Sequence, residues 1–80
     1  MSYNYSSVNS QEKFDIISNQ IKSFETQHYR NSLSLMELNA VDTSDKMNIE
    51  LLNDENMNIE KKIAVLKIEL DLVSKLLPQV

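Results

Sequence analysis

The sequence predicts an all-α fold: a two-helix antiparallel coiled-coil hairpin that completes a bundle by oligomerisation or by docking. Three observations carry this expectation. Apolar residues step by three and four through both halves of the chain, turn-favouring residues gather between the halves, and a seam asparagine sits in each half where the two would meet.

The second half gives the stronger signal. Ile49, Leu52, Ile59, Ile63, Leu66, Leu70, Val73 and Leu77 follow the three-four step, and Asn56 is the one interruption. In heptad terms Ile49, Asn56, Ile63, Leu70 and Leu77 take a, while Leu52, Ile59, Leu66 and Val73 take d. A seam sustained this long specifies a helix lying against another helix. The predicted span is about 44–77.

The first half repeats the pattern through Phe14, Ile17, Ile21, Phe24, His28, Asn31, Leu35 and Leu38, predicting a helix over about 12–40. Residues 1–11, rich in Ser, Asn and Tyr, read as a flexible polar tail. Ser10 is a reasonable N-cap, with Glu12 and Asp15 placed to complement the helix dipole. Between the helices, Asp42, Thr43, Ser44 and Asp45 favour caps and turns over helix interiors, and any of the first three could cap the second helix. The turn is expected at about 41–45.

Leu35 and Ile49 keep the same heptad frame across this stretch, so a continuous rod of about 95 Å, a parallel spacer, competes with the hairpin. Charge and register favour the hairpin. A parallel pair would stack Asp42 and Asp45 on their own copies and oppose Glu55 to Glu60 and Lys62 to Lys67. Folding between Thr43 and Ser44 instead sets Leu38 on Ile49, Phe24 on Ile63, Ile21 on Leu66 and Phe14 on Val73. It also sets Asn31 on Asn56. A polar pair in an apolar seam lowers stability and fixes register, which is the role expected of Asn31 and Asn56.

Composition narrows the function classes. The 80 residues form one small domain, with 41% hydrophobic and 25% charged residues, no Cys, no Gly, one His and one Pro. Without cysteine there is no disulfide or thiolate metal site, and without glycine there is no phosphate-cradling loop. The net charge of −4 argues against non-specific nucleic-acid binding. No apolar segment suits a signal peptide or a membrane span. A cytoplasmic or virion-associated protein is expected, neither secreted nor membrane-bound. The Asn, Ile and Lys bias suggests an AT-rich genome such as that of a phage.

One spacing points to chemistry. Glu25 and His28 form Glu-x-x-His on a helix, the pair used in di-iron carboxylate bundles, with Glu55 or Glu60 as further ligands. Glu25 falls beside the seam, however, and a complete site would need a second chain. The expectation is no cofactor, no metal and no enzymatic activity, with a carboxylate–histidine metal bundle as the alternative.

A second apolar row remains off the seam. Val65, Ile68, Leu72 and Leu76 sit there on the second helix, with Leu51 and Met47 continuing toward the turn; Leu33 and Met36 fall off the first seam. A solvated two-helix hairpin does not need such a row. Val65, Ile68, Leu72 and Leu76 are therefore the expected protein-binding residues, for self-association or for a larger helical assembly in which the chain is a structural or accessory component.

Overall fold

The computed structural model describes residues 4–41 and 45–77. Two helices, α1 over Ser10–Ala40 and α2 over Lys46–Ser74, lie antiparallel and form an all-α hairpin. Its longest extent is 55 Å. The rod is thereby excluded, because one helix spanning both segments would be about 95 Å long.

Each helix starts on a side-chain cap. The cap of α1 is Asn9 rather than Ser10, which is already helical. Asn9 Oδ1 accepts the Glu12 backbone N–H at 2.8 Å, and Asn9 Nδ2 donates to Glu12 Oε1 at 2.8 Å. The two residues thus hold each other, a reciprocal arrangement that Ser10 cannot form with a glutamate three residues on. Upstream, the Val8 N–H donates to the Tyr5 carbonyl at 2.9 Å, closing a turn over residues 5–8.

For α2 the cap is Asp45, whose Oδ1 accepts the Asn48 N–H at 3.3 Å. This is one residue beyond the three expected caps, Asp42, Thr43 and Ser44, which themselves lie outside the described residues. Helix α1 gives way at Val41, which is extended (φ −100°, ψ 144°).

Helix α2 stops at Ser74, three residues short of the expected end. The Asp71 carbonyl there accepts both the Ser74 hydroxyl at 2.7 Å and the Lys75 N–H at 3.3 Å. The Leu76 N–H then donates to the Val73 carbonyl at 2.9 Å, a three-residue step that tightens the last turn. Pro78 follows, and the residue before a proline is biased away from helical geometry.

Burial follows the heptad frame. Every seam position from Phe14 to Leu38 and from Ile49 to Leu77 is buried or half-buried. Ile21, Ile59 and Val73 form the apolar core, with Asn31 and Asn56 as its buried polar members. No described side chain is completely enclosed. Two helices cover one face of each other and no more.

Candidate protein-binding surface

A polar layer lies between the helices. Asn31 Nδ2 donates to Asn56 Oδ1 at 2.9 Å, and Gln27 Nε2 donates to Asn31 Oδ1 at 2.9 Å. The Asn56 amide reaches the His28 carbonyl and the Ser32 hydroxyl at 3.5 Å, and Ser32 Oγ donates to the His28 carbonyl at 3.0 Å. Among the described residues, no buried side-chain polar atom lacks a partner. A slip by one heptad would bury each amide against hydrocarbon at a cost of about 1–3 kcal/mol per unsatisfied group. The structure thus joins Asn31 to Asn56 across the helices.

Around this layer the two edges of the hairpin differ. On one, His28 Nε2 lies 3.2 Å from Glu60 Oε2, both side chains partly exposed, in a groove shared with Glu25, Tyr29, Ser32, Ile63 and Lys67. Glu25, His28 and Glu60 therefore share this groove. Among the described residues, no group of three or more His, Asp, Glu or Cys is placed to hold a metal ion. On the other edge, the Lys62 ammonium sits 5.5 Å from the Phe24 ring centre, a cation–π contact that closes over the seam.

The outward side of α2 is apolar and uncovered. Val65, Ile68, Leu72 and Leu76 are 65%, 66%, 53% and 67% exposed. Leu51 and Met47 continue the row toward the turn and are also exposed. Leu76 lies just past the end of α2, in the tightened turn. The seam is already occupied by α1, and this row lies outside it.

The structure adds exposed apolar residues that the seam analysis passes over: Ile16, Tyr29 and Val41 on α1 and its cap, and Met57 on α2. Their heptad positions could have flagged each one, but singly they are ordinary surface residues. Tyr5 and Val8 gather with Lys13, Ile16, Ile17 and Glu69 around a cavity of about 430 Å³ at the open end. No periodic signal reports that contact, because it comes from a turn.

Among the described residues no helix is long and apolar enough to cross a membrane. No known protein family, curated protein or solved structure matches the chain. The fold and this surface define its class, an all-α helical hairpin with one helix apolar on two sides.

Proposed function

We propose that this protein is a non-enzymatic helical protein–protein interaction module, a structural or accessory component of a larger assembly that binds through the outward row of α2. The observation that supports this reading is the exposure of Val65, Ile68 and Leu72 on a helix whose seam face is already covered, and of Leu76 in the turn that ends it. Four large aliphatic side chains in a row lower the solubility of a free hairpin, and a partner face of similar chemistry removes them from water at about 25 cal/mol per Å².

Photo-crosslinking residues placed at Ile68 and Leu72, with Asn19 on the exposed surface of α1 as control, test the proposal in the producing cell. Covalent adducts are expected from Ile68 and Leu72 and not from Asn19. No adduct from either α2 position, or equal labelling from Asn19, would defeat it.

A further inference from the structure

The outward row sits on one helix alone. Val65 opens onto a groove with Gln20, Phe24, Lys61, Lys62 and Leu66, and the adjoining α1 surface is Ser23, Thr26, Gln27 and Arg30. Beside Val65, α1 therefore offers mainly polar side chains, whereas toward the open end the exposed Ile16 lies beside Glu69. An occupant of this surface must be matched to α2.

We propose that the occupant is a second copy of this chain, its α2 running antiparallel to the first about a two-fold axis. The proposal rests on the interaction reading above and names its partner.

Surface area supports it. The chain exposes 6575 Å². A compact folded chain of 9.3 kDa is expected to expose about 5,000 Å², leaving an excess of roughly 1,600 Å². The excess comes with the elongated two-helix shape, and it leaves room for the roughly 800 Å² that a standard interface removes from each partner.

Charge supports it independently and selects a register. Setting Val65 against the second copy's Ile68 puts Leu72 on the alkyl stems of the second copy's Lys61 and Lys62, whose ammonium groups reach solvent. The flanking position then brings Lys62 opposite the second copy's Glu69, and the two-fold axis repeats the pair. Both side chains are exposed in the hairpin, and the pair draws the Lys62 ammonium off the Phe24 ring. Sliding one heptad either way instead opposes Glu69 to its own copy or Lys62 to its own copy. Of these three alignments, only the first pairs opposite charges, and like charges at such positions destabilise helix pairs.

The test is the mass of the purified full chain by sedimentation equilibrium over a wide concentration range, with circular dichroism as a check on folding. The wild type is expected at twice 9.3 kDa, and Ile68→Glu at the mass of one chain. Glu69→Lys removes two attractions and creates two repulsions, so its dissociation constant should rise about tenfold. Adding Lys62→Glu should reverse that loss. Because Lys62 also covers Phe24, Glu69→Lys alone decides the matter if the double variant loses helicity.

A wild type that stays at one chain throughout, or a Glu69→Lys variant that pairs as tightly as the wild type, overturns the proposal. A monomeric chain that still gives Ile68 adducts of other masses in cells removes the second copy and leaves the interaction reading standing. Absence of those adducts removes both.

Discussion

Replacing the two seam asparagines separately and together exposes what they do. Asn31 is 4% exposed and Asn56 is 7% exposed, and they share a 2.9 Å hydrogen bond. In Asn56→Leu, the buried Asn31 Nδ2 loses its acceptor and faces hydrocarbon, while Asn31 Oδ1 keeps its bond from Gln27. That omission costs about 1–3 kcal/mol, part of it offset by the added aliphatic burial. Asn31→Leu should behave alike, and it also deprives the Gln27 amide of its acceptor. The double variant contains no orphaned asparagine, and the half-buried Gln27 amide, which reaches solvent, is its one lost contact, so it should recover most or all of the wild-type stability.

The assay is thermal or urea unfolding at one fixed protein concentration, since any self-association makes the midpoint concentration-dependent. For a chain of this size, each 1 kcal/mol moves Tm by about 4–8 °C. The singles should therefore melt visibly below the wild type, and the double should recover. The reasoning fails if the singles melt with the wild type, or if the double loses the sum of both.

Other substitutions probe the remaining parts of the hairpin. Asn9→Ala should lower stability by about 1 kcal/mol and fray the start of α1, while Ser10→Ala should change little; amide exchange of the first helical turn separates the two. Asp45→Ala should cost a similar amount at the start of α2, read in the same experiment. Ile59→Ala, at a site only 4% exposed, should cost about 2–5 kcal/mol and leave a largely unfolded chain by circular dichroism. Glu60→Gln should shift unfolding by no more than about 1 kcal/mol, with the difference shrinking in high salt, because its pair with His28 is partly exposed.

The seam was legible because helix periodicity and burial share a cause. A side chain facing the other helix recurs every three or four residues, so Ile21, Ile59 and Val73 could be placed before any coordinates. The Asn31–Asn56 pair followed from the fold point, since burying either amide alone would be costly. The off-seam position of Val65, Ile68 and Leu72 followed from the same frame. The α1 cap was legible but missed, because Asn9 and Ser10 are both good capping residues while only Asn9 has a glutamate three positions on. Apolar periodicity does not report that spacing, which shows as the reciprocal Asn9–Glu12 bonds. The end of α2 at Ser74 was missed for a related reason: leucines at 76 and 77 continue the apolar pattern after the backbone has tightened. The His28–Glu60 contact joins a seam position to a flanking one and needed the helix rotation to be seen.

The distribution of burial along the seam bears on how the chain closes. Beyond the asparagine layer toward the turn, Leu35, Leu38, Ile49 and Leu52 are all only half-buried, whereas Ile21, Ile59 and Val73 lie at the layer or toward the open end. The three fully buried apolar side chains thus all lie at the layer or on its open side, among seam neighbours that are half-buried at both ends. A hairpin usually gains by zipping from its loop, where the entropy of closure is smallest. Here the early contacts next to the loop yield little, and the rewarding ones require a much larger loop to close first. Folding should therefore be slower than the helical content alone suggests, with the turn end the last to become protected and the first to open.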